Sequence, residues 1–455
     1  MKKPFLQASA LVLTVALLPA TTSALSAVDA NTYREMEQFM SVFDRVRNDY
    51  VDQVDDADLI KGAIDGMLGS LDPHSSFLDA RDFENLRTQT DGNYGGLGLS
   101  VTMEDGAVKV IAPFKDTPAD KAGVKAGDYI THINGELIYG GTLDEAVEEM
   151  RGKPGTPIEL TIVRPGRDKP FDVSMNRAII DLKPVTWEIK DQVGVISLNS
   201  FSADVGADVK AAITGIEKSL GKKPLGYILD MRSNPGGLLD EAVAVSDVFL
   251  TRGEIVSQRG RKKSDIERYF AKTGDAANGL PVIVLIDAGS ASASEIVAGA
   301  LQDHHRGLVM GERSFGKGSV QTLLPLSNTS ALRLTTARYY TPSGKSVQEG
   351  GIEPDIIVPQ LSDPDYKTRP KFREADLRRH LINEIKLEDG VLEEDTKEDP
   401  RFTATSEELE KQGVKDFQMH YALQTLSRLG PEGMRVAINK ATKKAVTKKP
   451  ATAKN

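Results

Sequence analysis

Val282-Ile283-Val284-Leu285-Ile286-Asp287-Ala288-Gly289-Ser290-Ala291-Ser292-Ala293-Ser294-Glu295-Ile296 is the stretch on which the fold turns. Its first five residues form an unbroken apolar run, the pattern of a buried strand. From Ser292 to about residue 302 the pattern becomes helical. Ser292 therefore stands where a strand gives way to a helix, with its hydroxyl at the helix's positive end. Free backbone N–H groups at that end can hold a developing oxyanion, which suits a nucleophile. The same residues, Ser292-Ala293-Ser294-Glu295, also spell a capping box, which satisfies the first helical N–H groups and needs no chemistry. Ser290 and Ser294 compete with Ser292 for any reactive role.

A nucleophilic serine needs a base, and no histidine stands in a triad pattern. Lys317 lies downstream, between two glycines, in Phe315-Gly316-Lys317-Gly318-Ser319-Val320-Gln321. A free lysine is protonated, with a pKa of about 10.4. Burial disfavours the charge and can bring it toward roughly 7–8, where a lysine serves as general base. Lysine in a glycine-rich segment is also an ordinary solvated turn, and spacing alone does not bring Ser292 and Lys317 together.

Working outward, strand and helix signals alternate. Strands are expected at Val193–Leu198, residues 225–230, Val282–Ile286 and residues 308–310, with helices at Val205–Leu220, residues 237–249 and residues 292–302. Later strands at residues 320–326, 332–340 and 356–358 are expected to close the core. This alternation argues for an α/β layered fold. The turn Asn234-Pro235-Gly236-Gly237 joins a strand to a helix and frees N–H groups at a helix N-terminus. A plain strand-to-helix turn explains it equally well.

Three features together resemble the carboxyl-terminal processing proteases: the Ser-Ala-Ser-Ala-Ser run, Phe-Gly-Lys-Gly, and Asp230-Met231-Arg232-Ser233-Asn234-Pro235-Gly236-Gly237-Leu238-Leu239. The likeness extends from roughly residue 30 to residue 360. It implies a serine protease with a Ser–Lys dyad, in which Ser292 is the nucleophile, Lys317 the base, and Gln321 orients the lysine. If residues 317–321 are extended, Lys317 and Gln321 face one side. The resemblance also implies an oxyanion hole built from the N–H of Ala293 and of Gly236 or Gly237.

Upstream, Gly95-Gly96-Leu97-Gly98-Leu99, the alternating run Val108-Lys109-Val110-Ile111-Ala112-Pro113, the segment from Thr117 to Ile130, and Ile133-Asn134-Gly135 follow in order. Together they resemble a PDZ domain over residues 93–176. Gly96, Leu97, Gly98 and Leu99 match the loop whose N–H groups hold a peptide's terminal carboxylate, with the peptide added as a strand. Thr142-Leu143-Asp144-Glu145 starts a short helix, and its Leu143, Ala146, Val147 and Met150 share a face that serves the groove, the core, or both. Asn134-Gly135 predicts a tight hairpin turn.

The expected fold is thus α/β and multi-domain. A PDZ domain sits upstream of an α/β layered core, crotonase-like by resemblance, with helical N- and C-terminal regions. The divisions are 1–27, 28–92, 93–176, 177–360, 361–439 and 440–455. Lys2 and Lys3 before an apolar stretch near residues 11–18 mark 1–27 as a secretory signal peptide, too short to span a bilayer, with an uncleaved anchor as the alternative. Met36, Phe39, Met40, Phe43, Val46 and Tyr50 recur at helical spacing in a region that dimerises in the resembled family or packs internally. Residues 177–184 read as a connector, 373–385 and 407–429 as helices, and His74, His304 and His305 as structural. The chain has no cysteine, which excludes disulfides and cysteine chemistry, and no metal-binding pattern; no cofactor is expected. The net charge of −9 argues against nucleic acid as the main partner. Six lysines and no acids lie from residue 440 onward, a tail expected to be disordered, which leaves −15 on the rest.

These readings point to an exported serine endopeptidase of the periplasm or cell envelope. Its substrates would be extended or unfolded protein C-termini. A homo-oligomer or an adaptor protein stays open as a partner. If the PDZ domain regulates, the resting enzyme should hold Lys317 or Gln321 out of place until peptide binds. The alternatives are a catalytically silent PDZ peptide-binding adaptor and an esterase for small acyl substrates.

Overall fold

A computed structural model describes residues 30–447, apart from 91–92, 105, 115–116, 139–142, 168, 182, 273, 369–370 and 385–398. The expected signal peptide lies outside the described residues, as does Thr142. The chain divides into two units at Gly66. In the first, the helix Ala30–Asp49 leads to the helix Asp56–Gly69, and Arg47 reaches Asp56 at 3.6 Å. The apolar residues Tyr33, Met36, Phe39 and Met40 are exposed and nothing else in this unit covers them.

The second unit is built around a six-stranded sheet. Its order is Val185–Lys190, Val193–Leu198, Tyr227–Asp230, Val282–Ile286, Leu308–Gly311 and Ile356–Ile357. The first pair is antiparallel and the rest are parallel. Successive side chains on a strand face opposite ways, so each strand feeds two cores. Ile196, Leu229, Val284 and Val309 pack with the helices Val205–Leu220, Leu239–Phe249 and Ala293–Asp303. Val195, Ile228, Ile283, Leu285 and Met310 pack with Met419, Ala422 and Leu426 of the helix Phe417–Thr447. Burial on both faces is the reason these strands read as continuous apolar runs. It also gives the C-terminal helix its structural role, as the cover of the second face.

Several expectations change. Residues 319–325 and 331–340 do not close the parallel sheet. The strands Ser319–Pro325 and Ala331–Tyr340 form an antiparallel pair in a separate sheet with Glu254–Gly260, Ile266–Phe270 and Ser76–Leu78. The connector at 177–184 contains the strand Ala178–Asp181, which pairs with Asn93–Gly96 and ties the two ends of the small domain together. Of the helix expected at 373–385, the described residues 373–384 hold only a single turn, Glu374–Asp376, because their side chains are spent on tertiary bonds: Glu374 on His74 and Gln348, His380 and Asn383 on the 348–349 segment. The helix expected at 407–429 is two helices, Ser406–Lys411 and Phe417–Thr447, divided at Gly413 with φ 74°. The segment Phe417–Thr447 is itself broken at Gly430, whose φ of 57° and ψ of −174° are not helical, and residues 440–447, expected to be tail, belong to the helical stretch beyond that break.

The small domain at 93–176 has a sheet ordered Leu99–Glu104, Ala107–Pro113, Tyr129–Ile133, Pro157–Val163 and Phe171–Asn176, with Glu136–Leu137 beside Tyr129–Ile133. Asn134 and Gly135, both at positive φ, make the two-residue hairpin turn that their sequence predicts. The strand Leu99–Glu104 lies at the sheet's edge. On the helix Leu143–Met150, Ala146 and Met150 are buried in the domain's core, and Leu143 and Val147 pack against it.

Candidate active site

Three adjacent parallel strands end on one edge of the core sheet, and each delivers one loop. Tyr227–Asp230 leads to Gly236-Gly237, Val282–Ile286 to Ser292, and Leu308–Gly311 to Lys317. The carboxyl edge of a parallel sheet is where open α/β folds place their sites.

The loops are stitched to one another. Asn234, fully buried, donates from Nδ2 to the Leu198 carbonyl at 2.8 Å and accepts the Gly236 N–H at 2.9 Å. Its own carbonyl accepts the Ala291 N–H and the Ser294 hydroxyl. The three serines thereby separate. Ser294 Oγ donates to Asn234 at 2.9 Å, and Ser290 Oγ donates to the Met231 carbonyl at 2.8 Å. Both are fully buried and committed to the scaffold. Ser292 is the one that lines the cavity. Its backbone is held at φ 55°, ψ −110°, a conformation costly for a residue with a Cβ.

The capping box forms asymmetrically. Glu295 Oε2 accepts the Ser292 N–H at 2.7 Å, while the Ser292 hydroxyl closes no hydrogen bond onto the helix end. The phenol of Tyr339 stands beside the Ser292 side chain, and burial pushes that phenol up to about 12. Glu295 is fully buried and does more than cap. It also accepts Ser314 Oγ at 2.6 Å and the N–H groups of Gly316 and Lys317 at 2.7 and 3.0 Å. Burial pushes its carboxyl up to about 7 against these four donors. Reading Ser-x-x-Glu as a capping box found this residue and missed its second task.

Lys317 lines the same cavity, and its Nζ has no hydrogen bond or ion pair among the described residues. Burial is the main force lowering its pKa, assisted by Arg333; Glu374, Glu295 and Asp72 oppose it. The loop is anchored on its other side by Gln348, which accepts the Gly318 N–H at 3.1 Å and donates to Glu374 at 3.0 Å. Glu374 in turn receives His74 Nε2 at 2.9 Å. His74 is thus structural, and the sequence signal that could have paired it with Glu374 is absent at that distance along the chain.

Gln321 is not where the extended reading puts it. The strand begins at Ser319, after Lys317, and its register slips between Val320 and Gln321. The Gln321 amide donates to Ser319 Oγ at 3.0 Å and Thr335 Oγ1 at 3.2 Å instead of reaching Lys317.

Of the expected oxyanion donors, the Gly236 N–H is spent on Asn234. The N–H groups of Gly237 and Ala293 have no partner among the described residues. Gly236 packs so closely that a Cβ would stand 2.8 Å from Ser292 Cβ, and a Cβ on Gly237 would stand 2.3 Å from the Phe201 carbonyl oxygen. One cavity of about 1530 Å³ reaches from Gly96, Leu97, Gly98 and Leu99 to Ser292 and Lys317. Among the described residues no group of His, Asp or Glu is arranged to hold a metal ion, and no helix is long and apolar enough to cross a membrane.

A PDZ-like sheet beside an α/β core with a serine at its carboxyl edge defines a serine-type peptidase. Residues 192–358 match the Peptidase family S41, residues 110–164 the PDZ domain, and residues 15–82 the activating protease CtpB N-terminal domain. The chain is 50% identical over 380 residues to a carboxy-terminal-processing protease of Bartonella bacilliformis, covering 83% of this chain and 88% of that one. It is 37% identical to the carboxy-terminal processing protease CtpB of Bacillus subtilis, covering 77% and 72%. A solved photosystem II D1 C-terminal processing protease aligns at 29% identity over 73% of this chain and 94% of its own, with a TM-score of 0.44. The chain belongs to the carboxy-terminal processing protease family.

Proposed function

We propose that this chain is an exported endopeptidase that captures exposed C-terminal segments of other proteins and cuts them with a Ser292–Lys317 dyad. The observation that carries this reading is the single cavity shared by the Gly96–Leu99 loop and the two catalytic candidates. A peptide would add to the edge strand Leu99–Glu104, its terminal carboxylate on the loop's N–H groups.

Ser292 Oγ attacks the scissile carbonyl as its proton passes to neutral Lys317 Nζ. The N–H groups of Gly237 and Ala293 hold the resulting oxyanion. Lys317 then protonates the leaving amine, giving an acyl-enzyme and the first product. Water, deprotonated by Lys317, attacks the ester, and collapse returns Ser292 with its proton. Gln321 serves Lys317 only after its amide leaves Ser319 and Thr335, which fits a resting site awaiting peptide. The lysine-flanked apolar N-terminal pattern supports export.

The test is digestion of an unfolded protein bearing an apolar C-terminal tail by wild type, Ser292→Ala and Lys317→Ala. Cleavage by wild type alone is expected, and amidating the tail should slow it. Equal cleavage by all three would sink the dyad. Tail binding without cleavage by wild type would leave an adaptor.

A further inference from the structure

Arg333 lines the same cavity as Ser292 and Lys317, and no carboxylate meets it among the described residues. It sits on the strand Ala331–Tyr340 between Ser76 on one side and Leu323 on the other, so its backbone is held by two neighbouring strands. Thr335, two residues along and on the same face, bonds both Gln321 and Asp72. That places Arg333 beside the lysine's surroundings.

The guanidinium is always charged and carries five donors. Its Nε is buried with no partner. The acids that act on Lys317 are already occupied, Glu295 by its four donors. Asp72 accepts the N–H groups of His74 and Ser75 and the hydroxyls of Ser75 and Thr335. Glu374 accepts His74 and Gln348. Glu84, Arg151, Lys153 and Asp240 also line the cavity, and none pairs with Arg333. Arg333 itself is half-buried, so its remaining donors face the cavity, where an entering anion can meet them.

We propose that Arg333 determines specificity by receiving an acidic side chain of the substrate close to the cleaved bond. This rests on the proposed peptidase reading. A guanidinium binds a side-chain carboxylate and a chain-terminal carboxylate with the same two-pronged geometry. The terminal one is assigned to the Gly96–Leu99 loop, which leaves the side chain for Arg333.

The experiment uses full-length wild type, Arg333→Gln and Arg333→Glu with amide-capped quenched peptides. These carry Glu, Gln or Lys at each of three positions on either side of the scissile bond. Binding of the same peptides is measured in the Ser292→Ala background, so the test does not depend on turnover. At one position wild type should favour Glu over Gln by about tenfold, in kcat/KM and in affinity. Arg333→Gln should erase that preference, and Arg333→Glu should favour Lys. Free-acid peptides form the second arm: a preference seen only with a free terminus would overturn the side-chain assignment. An equal loss on every peptide, or a shifted pH profile with unchanged preference, would overturn it in favour of an effect on Lys317. Cleavage by Ser292→Ala would instead overturn the dyad and leave the binding result standing.

Discussion

Ser292 and Lys317 donate their backbone N–H groups to one and the same oxygen, Oε2 of Glu295, at 2.7 and 3.0 Å. A single buried carboxylate therefore sets the spacing of the two loops that carry the candidate dyad. Oε1 of the same group holds Ser314 and Gly316.

Glu295→Gln should lower kcat by about a hundredfold, because the amide NH₂ cannot accept and one loop loses its anchor. It should cost about 2 kcal/mol of stability, the scale of buried donors left unmet. The pH dependence has a definite sign. Glu295 is raised from 4.5 to about 7 in the fold, so the folded state binds this proton more tightly than the unfolded chain. Its contribution is complete below about pH 4.5 and lost as pH rises to about 7. The stability gap between wild type and Glu295→Gln should shrink across that window in thermal melts. A constant gap would mean the carboxyl ionises at its ordinary value.

Lys317 must be neutral to take a proton, so kcat/KM should rise with pH through a pKa below that of free lysine. Lys317→Arg should lose about a thousandfold, since arginine stays charged. Glu374 raises the lysine's pKa. Glu374→Gln should move the acid limb of the kcat/KM profile to lower pH while leaving its shape unchanged. Movement to higher pH would contradict the electrostatic account.

Gly237→Ala would put a Cβ 2.3 Å from the Phe201 carbonyl oxygen at φ 150°. Something must shift, and the free N–H shifts with it. The expected loss is about a hundredfold in kcat per folded molecule, measured against active-site titration so that unfolding is not mistaken for lost chemistry.

Much of this was legible in the sequence, for reasons visible in particular residues. Val282–Ile286 and the serine-rich elbow are local, and an apolar run feeding a helix cap leaves few other conformations. Gly236 and Gly237 announce a turn that side chains cannot enter. The parts that escaped depend on distant neighbours. Nothing near Gln321 tells of the register slip that turns it to Thr335. Ser290 and Ser294 look equivalent to Ser292 until Met231 and Asn234 arrive to claim them. Residues 373–385 have helical spacing, but tertiary bonds to Glu374, His380 and Asn383 outweigh local propensity.

Arg232 closes the core against the C-terminal helix. Its guanidinium bonds Asp230, at the end of the strand before the glycine turn, and Asp416, just ahead of Phe417–Thr447. Burial works against Asp416's charge, but the Arg232 bonds outweigh it and hold the carboxyl down at about 2. A depressed acid stabilises above its unfolded value, near pH 4, and that contribution is lost as pH falls toward 2. Asp416 is partly solvent-exposed, so the gain is modest, about 1 kcal/mol. Asp416→Asn should lower Tm at pH 7 by a few degrees and leave it unchanged near pH 2.

The bond between His74 and Glu374 joins residues three hundred positions apart. Such a contact cannot form until the ribosome has released nearly the whole protease portion, and at about 5–20 residues per second that delay is tens of seconds. Only the last part of that interval, the stretch from Gly318 to Glu374, separates the making of the lysine loop from its Glu374–Gln348 brace, a lag of about 3–11 seconds at the same rate. The lysine loop is thus among the last parts of the core to receive its support, since the Gln348–Glu374 bond waits on residue 374.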